Sequence, residues 1–348
     1  MSVAARAAPR TEEELDERLS EPRAATIEAL RKAPGDIIVL GAGGKMGPTL
    51  ARMAARAAAA ADGASKRRVI AVSRFTAASV PRTLEKHGVE AIPCDLLDRE
   101  AVERLPDAPN VVFMAGQKFG TNDAPSRTWM MNVVVPAQCA HRYAESRVVA
   151  FSTGNVYPFV PVAGGGASEG TEPAPVGEYA ASCLGRERVF EFYSATRRTR
   201  VAIVRLNYAI DLRYGVLSDL VQRIMRREPV PLTMGHVNVI WQGDANRAAL
   251  ELLPRAATPP LVVNVSGRDT LSVRVLATEL GKRLGITPRF SGIEADDALL
   301  SDTSRFRKTL GDPETPLDTM LEWVADWARA DRPLLGKPTH FETRDGSF

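Results

Sequence analysis

The sequence predicts an α/β fold: a doubly wound parallel sheet with a smaller C-terminal lobe that would bind substrate. Three observations predict it. Short apolar runs alternate with helix-like segments from residue 36 to residue 206. A glycine-rich turn, GAGGKMG at 41–47, joins the first such run to a helix-like segment. Beyond residue 207 the rhythm loosens. Short strands separated by helices imply a parallel sheet covered on both faces.

The elements follow in order. Residues 1–10 read as a disordered leader, and Thr11 with Glu14 reads as a capping box opening a charged helix over 12–32, interrupted near Pro22. Pro34-Gly35 ends it. Strands are expected at 36–41, 68–73, 90–93, 110–115, 147–152 and 200–206. Helices fit between them at 47–61, 79–87, 99–104, 126–145 and 179–195. The stretch VAGGGASEGTEPAPVGE, 162–178, reads as a loop of functional length. A helix at 216–227, a strand at 261–265 and helices at 271–284 and 316–329 make up the rest. The expected organisation is a helical extension over 1–35, a nucleotide-binding domain over 36–206 and a partly interleaved lobe over 207–348.

Composition excludes several classes. The 348 residues suffice for a substantial core, and 45% hydrophobic with 25% charged residues is ordinary for a globular chain. A net charge of +3 gives no electrostatic case for nucleic acid or an anionic membrane. The basic runs Lys66-Arg67-Arg68 and Arg197-Arg198 read as solvated element ends. Three cysteines without a CxxC pair, and four scattered histidines, support neither a disulfide framework nor a metal site. No apolar stretch reaches the length of a membrane span, and the start turns acidic too early for a secretory signal, so a cytoplasmic location is expected.

Strand, glycine turn and helix in that order are the context of a dinucleotide fingerprint, which makes the sheet Rossmann-like. Gly41 permits the tight turn, Gly44 lets the backbone approach a pyrophosphate, and Gly47 lets the helix pack close to the strand. Lys45 and Met46 complete the turn, whose free N–H groups at a helix start favour phosphate charge. A phosphate-binding P-loop fails as a competitor: Val39 stands where its first glycine is required and Met46 where its Ser or Thr is required. A turn with packing duties only is the plain alternative. The second strand ends in Ser73-Arg74, without the acid that holds ribose hydroxyls in NAD-preferring proteins. Ser73 can donate a hydrogen bond, and Arg74 can pair with a 2′-phosphate or stack on adenine, so NADP(H) is expected over NAD(H). Arg74 as a mere surface charge is the alternative.

The G-x-x-G-x-x-G spacing resembles the extended short-chain dehydrogenase/reductases, the NAD(P)-dependent epimerase/dehydratase family. The likeness covers about residues 36–285. It implies that Asp95-Leu96 meet the adenine, that Met114-Ala115-Gly116 pass under the cofactor, and that Asn132 opens the long helix after the fourth strand. Lys118 could reach a phosphate or ribose. FSTGNVYPF resembles the family's S-[ST]-x-x-V-Y-G with Pro158 for the glycine, which puts Thr153 at the catalytic Ser/Thr position. Tyr179 matches the acid/base tyrosine of Y-x-x-x-K, but Cys183 stands at the lysine position.

That departure bears on the chemistry. A free phenol has a pKa near 10, and losing the cation one turn along the helix weakens it as a base. Three readings stay open: Cys183 fills space in a Lys-independent enzyme; the cation comes from elsewhere, with Lys118 or the oxidised nicotinamide as sources; or the site is a relic in a binding protein. The resemblance further offers Asn207, Tyr208 and Tyr214 as substrate contacts, with Arg213 beside them, though a packed Arg213–Tyr214 surface pair is as good a reading. Asp244 reads as a helix cap, and Thr270 or Ser272 as another. The tail residues Lys337, His340, Phe341 and Arg344 fit no motif and suggest a segment folded over a neighbouring surface. The implied substrate is a small carbohydrate-like molecule: a sugar, sugar acid or nucleotide sugar. The implied assembly is a homodimer through the helices at 126–145 and 179–195, with Trp129, Met130, Phe190 and Tyr193 either at the contact or in the core. An enzyme is therefore expected, an epimerase, dehydratase or dehydrogenase; a catalytically impaired NADP(H)-binding sensor or scaffold is the alternative.

Overall fold

The computed structural model describes residues 7–62, 67–118, 120, 123–337 and 339–346. Its elements in chain order are α1 (Glu12–Leu19), α2 (Ala24–Lys32), β1 (Ile37–Leu40), α3 (Gly47–Asp62), β2 (Val69–Ser73), α4 (Ser79–Lys86), β3 (Glu90–Pro93), α5 (Arg99–Glu103), β4 (Asn110–Phe113) and α6 (Pro125–Trp129). A π-helical turn, Met130–Val134, leads into α7 (Val135–Arg142). There follow β5 (Arg147–Thr153), β6 (Val160–Pro161), α8 (Gly177–Arg197), β7 (Arg200–Leu206), β8 (Ala209–Ile210), α9 (Val216–Met225), β9 (Val230–Pro231), β10 (His236–Val237), β11 (Ile240–Trp241) and α10 (Gln242–Leu252). The chain closes with β12 (Leu261–Val265), β13 (Leu271–Ser272), α11 (Val273–Leu284), β14 (Phe290–Ser291), β15 (Asp297–Ala298), α12 (Ser304–Leu310) and α13 (Leu317–Arg329).

Seven parallel strands form the central sheet in the order β12-β7-β5-β4-β1-β2-β3, a Rossmann-like doubly wound arrangement. Both faces are covered, which is why β1 and β4 are buried at every position. Side chains alternate between faces. Ile37, Val39, Val112, Val149 and Val204 pack against α2, α3 and α10. Ile38, Leu40, Val111, Val148 and Ile203 face α5, α7 and α8. The alanine-rich α3 lets its neighbours approach closely: Ala51, Ala54 and Ala57 are fully buried. A third core joins α9, α11 and α13 around Trp241, Trp323 and Trp327, with Leu15 and Leu19 of α1 packed into it.

The N-terminal helices belong to this packing. Thr11 accepts from Glu14 N at 3.1 Å, half of the expected box; the Glu14 carboxylate accepts from Arg10 N instead. The Arg23 guanidinium donates twice to Glu251 of α10, at 2.7 and 2.6 Å, and Thr26 donates to the same carboxylate at 2.7 Å. Residues 7–10 are held as well: Pro9 O accepts from Arg332. The leader expected to be disordered is therefore packed from residue 7; residues 1–6 lie outside the described residues.

Other expectations change in detail. The single helix expected at 126–145 is α6, a π turn and α7. Val135 N reaches back five residues to Met130 O. Pro136 has no N–H and its ring would crowd the Asn132 carbonyl, so the turn widens there. Asp244 does not cap α10; Trp241 stands at that position, and Asp244 accepts from Arg247 and from Thr315 N. Ser272 caps α11 by accepting from Val275 N at 3.3 Å. Arg67 is buried and paired with Asp62 rather than solvated, whereas Arg197 and Arg198 are exposed; Lys66 lies outside the described residues. Phe190 is a core residue, its ring centroid 5.4 Å from that of Phe113, so it is not free for an interface.

Candidate active site

The expected site residues gather mainly at the carboxyl ends of β1 to β5 and β7 and on the first turns of α8, around the point between β4 and β1 where the strand order reverses. Gly41 follows β1 with φ +92°, and a Cβ there would lie 2.5 Å from Ala115 Cα. Only glycine satisfies both constraints. A Cβ on Gly47 would collide with Ala42 O, so this glycine seats the helix on the turn itself rather than on the strand. Gly44 differs: a Cβ there would meet nothing nearer than Gly41 O at 3.5 Å. Packing does not require that glycine. Met46 O accepts from Leu50 N and Thr49 Oγ1, which starts α3.

Ser73 ends β2 with its hydroxyl against the turn: a Cβ on Gly43 would lie 2.5 Å from Ser73 Oγ. Arg74 is exposed, and no described residue pairs with it. Asp95 is exposed and spends one oxygen on Leu97 N at 3.1 Å. Leu96 is turned into the core, so only its backbone faces the crevice. Met114 continues β4, its N–H bonded to Leu40 O at 2.9 Å, and Ala115 abuts Gly41. At Gly116 a Cβ would strike the Arg186 guanidinium. Asn132, fully buried on the π turn, fills all its hydrogen-bonding sites. It accepts from Gln117 N at 2.8 Å and Arg186 Nη2 at 2.7 Å, and donates to Gln117 O at 3.0 Å and Ser182 Oγ at 2.9 Å.

Thr153 and Tyr179 meet. Thr153 ends β5, buried, and its hydroxyl donates to Asn155 Oδ1 at 2.9 Å while accepting from Asn155 N at 3.2 Å. The Tyr179 hydroxyl, near the start of α8, lies close enough to the Thr153 hydroxyl and the Cys183 thiol for both to act on its proton. Burial pushes the Tyr179 phenol well above its ordinary range, and Cys183 adds to that rise; the Arg186 charge and the Thr153 hydrogen bond pull it back. Burial also raises the Cys183 thiol, against the pull of Arg186. At pH 7 both groups are therefore neutral. Cys183 packs with Val156, Tyr157 and Ala167, as a small apolar residue would.

Two lysines stand at the cleft. Lys118 Nζ lies 6.0 Å from the Tyr179 ring centroid and donates to Thr339 O at 3.4 Å; burial lowers its pKa to about 8. Lys45 Nζ sits 3.0 Å from the centre of the Tyr214 ring, and burial, with Lys118 and Lys337 nearby, lowers it to about 6. Tyr214 is thus covered by Lys45, and Arg213 is paired with Asp16 and Asp211. Asn207 is turned inward and donates to Leu299 O at 3.2 Å, which commits the amide nitrogen offered to substrate.

The sequence suggested a tail folded over a neighbouring surface without saying which surface. After α13 the chain runs back over the cleft. Asp219 of α9 accepts from Thr339 N at 2.8 Å and Thr339 Oγ1 at 2.5 Å, Tyr208 donates to Phe341 O at 3.5 Å, and Phe341 itself is buried. Arg344 pairs with Asp297 and stacks on Phe159. Gly346 lies against Gly177, where a Cβ on Gly177 would be 2.7 Å from Gly346 O. Beside this seam a cavity of about 20 Å³ remains, walled by Asn155, Tyr157, Tyr208, Leu299 and Arg344. Arg186, Ser182 and Asp219 also went unpredicted. For Arg186 a signal existed: Tyr179, Cys183 and Arg186 are spaced i, i+4, i+7 along one helix face.

No metal-binding group of three or more His, Cys, Asp or Glu side chains, and no helix long and apolar enough to cross a membrane, occurs among the described residues. No protein-family model matches the sequence, and no curated protein matches it. Solved structures do match. The UDP-glucose 4-epimerase of Thermotoga maritima, determined with UDP-glucose, is 19% identical with a TM-score of 0.70 over 85% of this chain and 99% of that one. The UDP-glucuronic acid 4-epimerase of Bacillus cereus, determined with UDP-glucuronic acid and NAD, is 18% identical with a TM-score of 0.70 over 84% and 99%. MoeE5, determined with UDP-glucose and NAD, is 21% identical with a TM-score of 0.68 over 85% and 99%. The chain shares their fold.

Proposed function

We propose that this chain is an NAD(P)-dependent epimerase, dehydratase or dehydrogenase acting on a hydroxyl or carbonyl of a sugar, sugar acid or nucleotide sugar. One observation carries the reading: a phenol from α8 and an alcohol from β5 meet at the carboxyl edge of a Rossmann-like sheet. The epimerases that share the fold, determined with UDP-sugars and in two cases NAD, support it.

The residues fit a dinucleotide. Gly44 leaves open space that packing does not call for, the glycine turn presents the start of a 16-residue helix, and among the described residues Asp95 spends only one carboxylate oxygen. Gly41, Gly44, Lys45, Met46 and Gly47 would hold the phosphates. Ser73, Arg74, Asp95 and Leu96 would hold the adenosine end, with Met114, Ala115, Gly116, Lys118 and Asn132 beneath. When bound, the nicotinamide supplies a hydride acceptor or donor. The Thr153 hydroxyl holds the substrate oxygen, and the Tyr179 hydroxyl exchanges the proton at that oxygen. A neutral buried phenol is suited to donating a proton to a carbonyl; taking one from a hydroxyl needs positive charge nearby. The test is incubation with NAD and NADP across sugars, sugar acids and UDP-sugars, read at 340 nm and by product chromatography. Product formed from none of them would overturn the reading.

NADP(H) is the preferred cofactor in this reading because exposed Arg74 pairs with no described residue and no acid stands at the end of β2. Arg74→Ala should weaken NADPH about tenfold, roughly 1.4 kcal/mol, and leave NADH unchanged by fluorescence titration. An unaltered preference would remove Arg74 from the account.

The assembly is a homodimer. Trp129 and Met130 are 41% and 43% exposed, and Phe192, two turns beyond Gly185 where Trp129 packs, is 61% exposed. These form one apolar face on α6, the π turn and α8. Light scattering should show a dimer that Phe192→Glu with Trp129→Glu converts to monomer. The reading also places the protein in the cytoplasm, where its three free, buried cysteines suit a reducing compartment.

A second reading, an NADP(H)-binding sensor or scaffold without turnover, is favoured by the tail that closes the cleft together with Cys183 at the lysine position. Cofactor binding with no 340 nm change across the panel would select it.

A further inference from the structure

We propose that Arg186 supplies the positive charge that Cys183 denies to the acid/base pair, acting on Tyr179 as a positioning residue from one turn further along α8. The proposal rests on the role given above to Tyr179. Its geometry does not depend on the substrate.

Three features carry it. Tyr179, Cys183 and Arg186 form one inward stripe on α8, and Arg186 is 94% buried by its 6% exposure. The guanidinium is fixed by two hydrogen bonds to neutral groups, Phe151 O at 2.9 Å and Asn132 Oδ1 at 2.7 Å. No described carboxylate pairs with it, and its Nε–H finds no acceptor. The adjacent Glu187 is committed to Arg205. A cation this deep without a counter-ion costs several kcal/mol of folding stability. Such a cation favours an anion nearby, and the phenolate that Tyr179 forms on giving up its proton is one. Gly116 points the same way: any side chain there would occupy the guanidinium's place beneath the cofactor turn.

Other described groups also face Tyr179. From α8 come Cys183 and Arg186, from β5 the Thr153 hydroxyl, and from the segment after β4 the Lys118 ammonium, 6.0 Å from the ring centroid and drawn toward Thr339 O. Lys118 can lose its proton within the working pH range, its pKa being about 8; the guanidinium stays charged throughout. The charge that Arg186 presents to Tyr179 is thus constant with pH, whereas the contribution of Lys118 fades as that lysine deprotonates.

The test reads Tyr179 itself. The six tyrosines are replaced by 3,5-difluorotyrosine, the residue-179 fluorine signal is assigned with Tyr179→Phe, and its shift is followed against pH without substrate. Arg186→Gln keeps donors for Asn132 and removes the charge, so the midpoint should move to higher pH while the other five stay put. Arg186→Lys should restore the wild-type midpoint. An unchanged midpoint in Arg186→Gln overturns the proposal, as does failure of Arg186→Lys to differ from Arg186→Gln. Should Arg186→Gln not fold, Arg186→Lys against Arg186→Met decides in the same way. With an active substrate, Arg186→Gln should also lower turnover at pH 7 about tenfold and shift the pH–rate rise to higher pH. The titration stands even if no substrate is turned over, so the two readings fail separately.

Discussion

Tyr179→Phe should lower turnover of any identified substrate by about two to four orders of magnitude, the usual range for removing a general acid or base. Cofactor affinity should stay the same. The substitution deletes the one hydroxyl that stands beside Thr153 and Cys183 and leaves the ring in place. Thr153→Val should cost less, because the phenol remains to exchange the proton. Stopped-flow absorbance at 340 nm, with a matched titration of cofactor, separates the two effects. A fall of less than tenfold in turnover would mean that another group moves the proton, with Lys118 the nearest candidate that titrates near neutrality.

The second large effect is on stability. Below the site, Arg205 of β7 grips Glu187 of α8, its Nε 3.0 Å and Nη2 2.7 Å from the carboxylate, with both side chains almost fully buried. Arg205 also donates to the Tyr157 hydroxyl at 2.7 Å, which donates to Asn264 at 2.8 Å, and Ser152 donates to Glu187. This network ties α8 to the strand end that carries Thr153. Glu187→Leu leaves a buried guanidinium unpaired and should cost about 3–5 kcal/mol in urea unfolding. Adding Arg205→Met should recover most of the loss, because removing both charges also removes their desolvation cost. If the double substitution is as unstable as the sum of the singles, the network contributes shape rather than charge pairing.

Much of the architecture was legible before the coordinates. The runs DIIVL, RVIAV and NVVF carry the near-continuous apolarity of strands buried on both faces, and they form β1, β2 and β4. Gly41 was legible because a turn between strand and helix demands positive φ. What escaped were contacts made across long stretches of chain. Thr339 meets Asp219 from 120 positions away, and no local period announces it. The same holds for Glu251 receiving Arg23. The widened turn at Asn132 was hidden because Pro136 reads as helix-compatible until the crowded carbonyl is considered. Phe190 was offered both ways, and neighbouring Phe113 settles it in the core. Arg186 was passed over because arginine in a helix usually signals solvent, and only burial without an acid partner reveals otherwise.

The grip of α2 on α10 sets a timetable for biosynthesis. Arg23 and Glu251 are 228 positions apart, so a ribosome adding about 5–20 residues each second delivers the partner roughly 11–46 s after the first. Over that interval Leu30 and Ala33 have α3 beside them but no α10 to seal the layer. A nascent chain therefore carries a greasy, half-finished flank for most of its emergence, the kind of surface that chaperones shield.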